Sequence, residues 1–314
     1  MNKLIALSAI LILTASCDKD EIETPAEIVC IEDCTVGNKE YYSDYFVFVS
    51  DDGGSELVVP VDFNWSPTLT GYEKEFKSWY GTDNEWPISY QKVDIESCAC
   101  DIPQEIWQHD NDQNLQMNEA TREVTSCVDN YPPVKISLPE EIDWIQMPSA
   151  QGEKEIYGFR TSAEVQGATR DGWIIYERIR VDASSGFGGD FTAFYWVPIV
   201  INGDFYYFQQ HGSDKSASRW INGSSVADTN SNFTISILST TQDATSGRNN
   251  IPQELHITSS DWGVDIILES TGAQVGYGQS FPNGLAYYRQ SMLKSTAASS
   301  TAGHGMFELI LEDD

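Results

Sequence analysis

The sequence alternates between apolar and polar residues, or runs through short apolar blocks, along most of its length. This is the periodicity of β-strands. No segment carries a sustained apolar stripe with the 3.6-residue repeat of a helix. Two turn sequences separate neighbouring strands in the manner of hairpins, Asp51-Asp52-Gly53-Gly54 and Asn202-Gly203. The chain is therefore predicted to be all-β.

The periodicity also places the individual strands. Strands are predicted at 45–49, 57–63, 173–181, 191–201, 205–209, 233–238, 264–268, 285–293 and 306–311. Polar loops are predicted at 212–218, 240–250 and 294–303. Residues 103–122, rich in Asn, Asp and Gln, are interpreted as a polar insertion with one or two helical turns.

A change of composition divides the chain near residues 148–152. Apart from Cys17, every cysteine precedes it and none follows it. We therefore expect an N-terminal β unit over residues 41–150, with the polar insertion and the cysteines, and a C-terminal β unit over 151–314. A chain of 314 residues is long enough for two such cores.

Charge excludes some partners. The formal net charge is −30, from 18 Lys and Arg against 48 Asp and Glu. Nucleic acid binding and docking on anionic lipid both need clustered basic residues, which are missing. Aromatic residues make up 12% of the chain, which suits β-sheets and equally a surface or cavity that binds apolar groups.

The N-terminus resembles a bacterial lipoprotein signal. A positive Met1-Asn2-Lys3 precedes an apolar run that ends in Leu13-Thr14-Ala15-Ser16-Cys17. Residues 1–16 are interpreted as the signal peptide, Cys17 as the lipid-modified (palmitate-bearing) residue, and 17–40 as an acidic tether. Asp18-Lys19-Asp20-Glu21 resembles the surface-export signal of Bacteroidota lipoproteins. The resemblance implies an outer-membrane protein exposed at the cell surface. The alternative is an ordinary signal peptide.

The remaining cysteines favour disulfides over a metal. They are five in number, so at most two disulfides form and one thiol is left over. Zinc sites need paired Cys-x2-Cys or Cys/His blocks, which are missing. The cysteines are Cys30, Cys34, Cys98, Cys100 and Cys127.

Glu177 is the candidate catalytic residue. In the strand at 173–181, Trp173, Ile175 and Glu177 share one face, so the carboxylate lies on an apolar face. A buried carboxylate is either paired or has a raised pKa, and a raised pKa suits a general acid near neutral pH.

Arg289 shows the same anomaly with the opposite charge, because it shares a face with Leu285, Tyr287 and Leu293. A Glu177–Arg289 pair inside a barrel is therefore a hypothesis, either catalytic or a structural pair that fixes the register. Glu308 is a weaker candidate for a binding residue. Trp196 lies in a strand that is apolar on both faces, so it is expected to meet a second sheet, a subunit or a ligand.

Other catalytic patterns are missing. The sequence has no Gly-x-Ser-x-Gly elbow, no phosphate-binding loop and no complete calcium loop. Neither a metal nor a cofactor is indicated.

Residues 155–314 resemble the lipocalin-like superfamily of hydroxyneurosporene synthase, the carotenoid hydratase. That family carries Trp-x-Asp-x-Glu-Trp-Gly on a strand, and Trp173 and Glu177 match its first and fifth places. The family's Phe-x-Trp is matched by Phe194-Tyr195-Trp196, its Tyr-Trp-Glu-Gly by Tyr287-Tyr288-Arg289-Gln290, and its closing motif by Gly303–Leu309. Ile175 and Arg289 stand where the family has Asp and Glu.

The resemblance implies two consecutive lipocalin-like β-barrel or sandwich units and an apolar ligand such as an isoprenoid or another lipid. It implies hydratase, isomerase or cyclase activity. In an enzyme of this kind we expect Glu177 to protonate the substrate or orient water, and the aromatic lining of Trp173, Trp196 and Tyr287 to stabilise a cationic intermediate by cation–π contact. Two alternatives stay open. One is a glycan-binding surface lipoprotein, with Trp79, Trp86 and Trp262 exposed in a row. The other is a structural surface module without a small ligand.

Overall fold

The computed structural model describes residues 40–51, 57–67, 72–79, 81–82, 88–96, 107, 115–127, 133–140, 145–147, 153–182, 193–221, 227–243, 247–281 and 284–312. In these ranges every regular element is a β-strand, apart from a single 3₁₀ residue at Trp107. The all-β prediction is confirmed. The strands form two curled antiparallel sheets.

The first sheet holds the strands up to residue 182. They are β1 (Glu40–Ser50), β2 (Leu57–Pro67), β3 (Tyr72–Trp79), β4 (Gly81–Thr82), β5 (Ile88–Glu96), β6 (Leu115–Asn118), β7 (Glu123–Ser126), β8 (Val134–Ser137), β9 (Ile145–Met147), β10 (Glu153–Val165) and β11 (Ala168–Asp182). Their order is β5-β3-β2-β1-β11-β10-β8-β7-β6, with β4 beside β2 and β9 beside β10.

The second sheet holds the strands from residue 194 onward. They are β12 (Phe194–Ile201), β13 (Asp204–His211), β14 (Asp214–Trp220), β15 (Ala227–Asn230), β16 (Thr234–Thr241), β17 (Ile251–Ser259), β18 (Val264–Phe281), β19 (Gly284–Ser295) and β20 (Gly303–Glu312). Their order is β15-β14-β13-β12-β20-β19-β18-β17-β16.

Both predicted hairpins are present. β1 pairs antiparallel with β2, and β12 pairs antiparallel with β13. In the second hairpin Asn202 and Gly203 have φ values of 52° and 86°. Positive φ at both central residues defines the type I′ turn, whose twist matches that of the flanking strands. The local sequence was sufficient here because turn chemistry acts over two residues.

Three sequence predictions need correction. Of the loop expected at 212–218, residues 214–218 belong to β14, which runs on to Trp220 and pairs with β13 through a tight turn at Gly212. Residues 115–118, within the insertion expected to hold helical turns, form β6 in a hairpin with β7. β10 and β11 follow the expected boundary at residue 150 but belong to the first sheet, because β11 pairs along its length with β1. The sheets therefore divide after residue 182.

The buried side chains form three apolar clusters. One lies inside the first sheet and includes Phe46, Phe63 and Tyr176. Another lies inside the second sheet and includes Ile257 and Phe307. The third joins residues of both sheets, and we call it the inter-sheet core. Its members include Tyr45, Val47, Ile156, Trp173, Ile175, Trp196, Phe205, Tyr207, Trp220 and Met306.

The inter-sheet core explains why the central strands are apolar on both faces. β1, β11 and β12 each bury one face inside their own sheet and the other against the partner sheet. The approach is close at Gly158 of β10, where an added Cβ would lie 2.4 Å from the ring of Trp220 of β14. Only glycine fits at this point without displacing the indole ring.

Some predictions fall on parts of the chain that the structure does not describe. Residues 1–39, with Cys17, Cys30 and Cys34, lie outside the described residues, as do Cys98 and Cys100. Cys127 is buried at the end of β7 and is not a free thiol. The disulfide pairing and the lipid attachment stay predictions. In the described ranges no helix is long and apolar enough to cross a membrane.

Candidate active site

Glu177 lies on the inter-sheet face of β11. The predicted alternation is confirmed, because Trp173 and Ile175 belong to the inter-sheet core while Ile174 and Tyr176 point into the first sheet. The Glu177 residue is 4% exposed. In register it lies between Tyr45 of β1 and Ile156 of β10. The carboxylate is thus buried between the two units.

Three donors hold one oxygen of this carboxylate. Oε2 accepts hydrogen bonds from Trp196 Nε1 at 2.8 Å and from Tyr207 OH at 3.0 Å. Lys154 Nζ lies 2.8 Å from the same oxygen in a buried salt bridge. The buried carboxylate is therefore paired with a cation, as one of the two sequence alternatives required. Oε1 accepts no hydrogen bond from the part of the chain that the structure describes.

Gln209 contacts two of the three donors that hold Oε2. Its Oε1 accepts a hydrogen bond from the Lys154 ammonium and lies 2.5 Å from the hydroxyl of Tyr207. Tyr207 has one hydrogen and faces two acceptors, Glu177 and Gln209. Lys154 comes from β10 of the first sheet, while Trp196, Tyr207 and Gln209 come from β12 and β13 of the second. The site exists only because the two sheets meet.

Tyr207 is held as a neutral phenol. Burial, followed by the negative charge of Glu177, raises the pKa of Tyr207 well above its ordinary value. A phenol in this state keeps its proton at neutral pH and acts as a hydrogen-bond donor.

A second polar group lies beside the first. Gln290 Nε2 of β19 donates to Glu308 Oε2 of β20 at 2.8 Å and to Tyr45 OH of β1 at 2.9 Å. The rings of Tyr45 and Trp196 are 5.1 Å apart. Glu308 pairs in register with Trp196, and its charge contributes to the raised pKa of Tyr207. The structure therefore brings Glu177, Trp196 and Glu308 together, as three of the predicted site residues.

The predicted Glu177–Arg289 pair is not formed. Glu177 is bonded instead to Lys154, Trp196 and Tyr207. Arg289 is buried, but it shares its strand face with Leu293, which packs inside the second sheet. The inter-sheet face of β19 carries Gln290 and Met292. The hypothesis assumed one barrel interior for both residues, whereas the structure has two interiors and a space between them.

The other predicted binding residues are placed less centrally. Trp173 stacks on Phe205 with ring centroids 5.9 Å apart and donates to the carbonyl of Gly203 at 3.1 Å. Trp173 therefore contacts the second sheet at a point four residues along β11 from Glu177. Tyr287 lies in β19 opposite Leu311, and its side chain is outside what the structure describes.

Sequence reasoning missed Lys154, although a signal for it was present. Lys154 alternates with Ile156 and Gly158 along β10, so a cation lies on an apolar strand face. The same test that selected Glu177 and Arg289 would have selected it. Tyr207 and Gln209 gave no such signal, because tyrosine and glutamine are ordinary residues on a half-buried strand.

Sequence reasoning also missed a second buried carboxylate, Asp44. Tyr42 OH donates to its Oδ2, while Tyr176 OH donates to Oδ1 at 2.7 Å. Arg178 Nε lies 3.4 Å from Oδ1. Burial and the adjacent Asp44 charge raise the pKa of both tyrosines. This Asp44 cluster points into the first sheet, on the opposite face of β1 and β11 from Glu177.

Metal binding finds no support in the described residues. No three His, Cys, Asp or Glu side chains among them come close enough together to hold an ion.

Comparisons with known proteins identify the fold. No protein-family model and no curated protein sequence matches the chain. Among solved structures, an AttH-type protein from Nitrosomonas europaea aligns with a TM-score of 0.55 and 11% identity, over 86% of this chain and 92% of that chain. Kievitone hydratase from Nectria haematococca aligns with a TM-score of 0.50 and 13% identity, over 91% and 93% of the two chains. The chain has a two-unit lipocalin-like fold. At these identities the likeness shows the fold alone.

The aromatic row expected for glycan binding is only partly within the described side chains. Trp262 is half-buried, its ring contacts Tyr206 at 5.9 Å and Phe208 at 6.1 Å, and Arg219 lies 5.3 Å from its centroid. Its Nε1 donates to Asp228 at 2.8 Å. The side chains of Trp79 and Trp86 lie outside the described residues. The glycan alternative stays a prediction.

Proposed function

We propose that the protein binds an apolar small molecule between its two lipocalin-like units and performs acid–base chemistry on it at Glu177. The reaction class is hydration, isomerisation or cyclisation. The second structure in the comparison, a hydratase of the same fold, is consistent with this class without assigning it.

One observation carries the proposal, namely the asymmetric bonding of Glu177. A structural carboxylate in a protein interior has its oxygens satisfied by donors. Oε2 of Glu177 has three donors, whereas Oε1 has none from the described residues. The three donors fix the orientation of the carboxylate. Oε1 is therefore available to exchange a proton with the ligand or to accept a hydrogen bond from a water molecule beside the ligand.

The surroundings suit an apolar ligand. The aromatic rings of Tyr45, Trp196 and Tyr207 lie around the carboxylate, and Phe194 lies at the half-buried edge of the same region. A mostly apolar surface with a few fixed polar groups is typical of small-molecule sites. The Glu177 carboxylate would thus act on a ligand that is bound mainly by apolar contacts.

Extraction of the purified protein tests binding. The chain from Asp18 onward is purified as soluble protein, extracted with organic solvent and compared with a mock purification by mass spectrometry. We expect one apolar compound at close to one molecule per chain. A clean extract would contradict the proposal.

A matched pair of variants then tests the role of Glu177. Glu177→Gln keeps the size and one acceptor oxygen but removes the base, so conversion of the extracted compound should fall by about 100-fold or more. Glu164→Gln, at an exposed position of β10, serves as the control and should keep full activity. Equal activity of both variants would exclude Glu177 from the chemistry.

We also propose that Cys17 anchors the protein in the outer membrane, with the acidic tether carrying it to the surface. The support is the signal-like sequence alone. Labelling of cells with radioactive palmitate should mark the wild-type chain and not Cys17→Ser. Protease added to intact cells should digest the wild-type chain if it is exposed at the surface.

A further inference from the structure

Lys154 occupies the position in which a substrate cation would be stabilised. Its ammonium lies 5.8 Å from the ring centroid of Phe194 and 5.6 Å from that of Tyr207, in addition to its salt bridge with Glu177. Aromatic faces with a nearby carboxylate form a favourable environment for a positive charge. In this protein that environment already holds a positive charge from the chain itself.

The positive charge of Lys154 bears on whether the reaction passes through a cationic or an anionic intermediate. Hydration of an isolated alkene begins with protonation and passes through a carbocation. A carbocation that forms within reach of Glu177 would also lie within a few ångströms of the Lys154 ammonium, whose repulsion offsets the attraction of the Glu177 carboxylate. An anion that forms there would be attracted by the same ammonium. The electrostatics therefore favour negative charge on the substrate.

Lys154 also has a donor to offer. An ammonium has three N–H groups, and among the described residues its polar partners are Glu177 and Gln209. One N–H is left for an oxygen of the substrate. Tyr207, whose hydroxyl stays protonated, can turn its hydrogen from Glu177 to Gln209 when Glu177 takes up a proton.

We propose that the substrate is a conjugated carbonyl compound and that the reaction at Glu177 passes through an enolate stabilised by Lys154. This inference rests on the proposed function and names the substrate class for the same site. Glu177 acts as a base toward water, and Lys154 binds the carbonyl oxygen.

The steps balance without any co-reactant. Glu177 Oε1 removes one proton from water while the water oxygen forms a bond to the β-carbon. The π electrons of the carbon–carbon double bond move to the carbonyl, which becomes an enolate oxygen bonded to the Lys154 N–H. The α-carbon then takes the proton from Glu177 and the carbonyl reforms. The net change is addition of one water molecule, and the reverse sequence is dehydration of a β-hydroxy carbonyl compound.

Two probes of different electronic character test the inference. The full chain is incubated in water enriched in heavy oxygen, with benzylideneacetone as the conjugated ketone and citronellol as the isolated alkene. Mass spectrometry of the products reports the label. We expect label on the β-carbon of the benzylideneacetone product and none in citronellol. A labelled hydration product of citronellol, or no labelled product from either compound, would overturn the proposed enolate intermediate.

Variants at Lys154 show whether the ammonium is responsible. Lys154→Met should lower labelling of benzylideneacetone by about 100-fold, whereas Lys154→Arg, which keeps the charge, should stay within about tenfold of wild type. Lys135→Met, at a half-buried position of β8, is the matched control and should have no effect. If Lys154→Met does not fold, the activity of Lys154→Arg and the comparison of the two probes still test whether the ammonium stabilises an enolate. A ligand recovered by extraction together with unlabelled probes would leave the proposed function standing and reject the enolate alone.

Discussion

The strands β1 and β11 carry a buried carboxylate on each face, and the two are bonded in different ways. Asp44 and Arg178 are register partners on one side, and Tyr45 and Glu177 are partners at the next position on the other. Asp44 uses both oxygens, through Tyr42, Tyr176 and Arg178. Glu177 uses one. A fully bonded carboxylate stabilises a structure, whereas a half-bonded one retains an oxygen for chemistry.

The two clusters also differ in where their partners come from. All partners of Asp44 named here lie in β1 and β11 of the first sheet. The partners of Glu177 come from β10 of the first sheet and from β12 and β13 of the second. The Asp44 cluster can thus form when the first unit folds, whereas the Glu177 site is assembled only when the two units dock. The contact between two units is a frequent place for small-molecule sites.

The largest expected effect is the loss of Asp44. Asp44→Leu removes the acceptor of two buried tyrosine hydroxyls and the counter-charge of Arg178. We expect the free energy of unfolding to fall by about 5 kcal/mol. Urea unfolding followed by tryptophan fluorescence measures it. Asp171→Ala, at an exposed position of β11, should change stability by no more than about 0.5 kcal/mol and serves as the control. A small effect at Asp44 would refute the view that this cluster stabilises the first unit.

A double-mutant cycle at the Glu177 site should show a smaller effect that is partly recovered. Glu177→Gln leaves the Lys154 ammonium buried, with its side chain 6% exposed, and should cost about 3 kcal/mol. Lys154→Met added to it removes the unpaired charge, so the double variant should regain most of this loss. The corresponding pair Asp44→Asn and Arg178→Met should not recover, because Tyr42 and Tyr176 depend on Asp44 regardless of the arginine. Additive effects at Glu177 and Lys154 would show that the salt bridge is not an energetic unit.

The smallest effect is expected at high pH. The folded-state pKa values of Tyr176 and Tyr207 are raised, so both phenols stay protonated where the unfolded chain ionises. Their contribution is complete below the unfolded tyrosine pKa of about 10 and is lost as pH rises above it, by about 1.4 kcal/mol per pH unit for each tyrosine. The slope of unfolding free energy against pH measures this loss.

Two phenylalanine variants divide the alkaline slope between the clusters. Tyr176→Phe and Tyr207→Phe should each reduce this slope by about 1.4 kcal/mol per pH unit, the contribution of one proton. Equal slopes in both variants and in wild type would mean that neither phenol remains protonated in the folded protein.

Local sequence was sufficient for features that depend on neighbouring residues. The Asn202-Gly203 turn is set by two residues that tolerate positive φ. The division of β11 into an Ile174–Tyr176 face and a Trp173–Glu177 face follows from strand alternation alone. The burial of Glu177 and Arg289 follows in the same way. A period of two residues needs no knowledge of the rest of the chain.

Strand alternation could not predict which residues contact Glu177 and Arg289. Alternation says which residues share a face but not which element that face meets, since any strand can dock on any apolar surface of matching shape. Both faces of β11 are apolar, so the pattern could not tell the first sheet's interior from the inter-sheet core. The assignment of Arg289 to Glu177 failed for this reason.

The sequence by itself determined an all-β chain, its main hairpins and a carboxylate forced into an apolar environment at Glu177, because these depend on residue type and spacing within one strand. The tertiary structure alone decided that β10 and β11 belong to the first sheet and that Lys154, rather than Arg289, faces the carboxylate. It also brought Trp196 and Tyr207 to the same oxygen. Such contacts join strands far apart in the chain, and their formation depends on how two curled sheets pack across a surface that glycine at position 158 allows to come close.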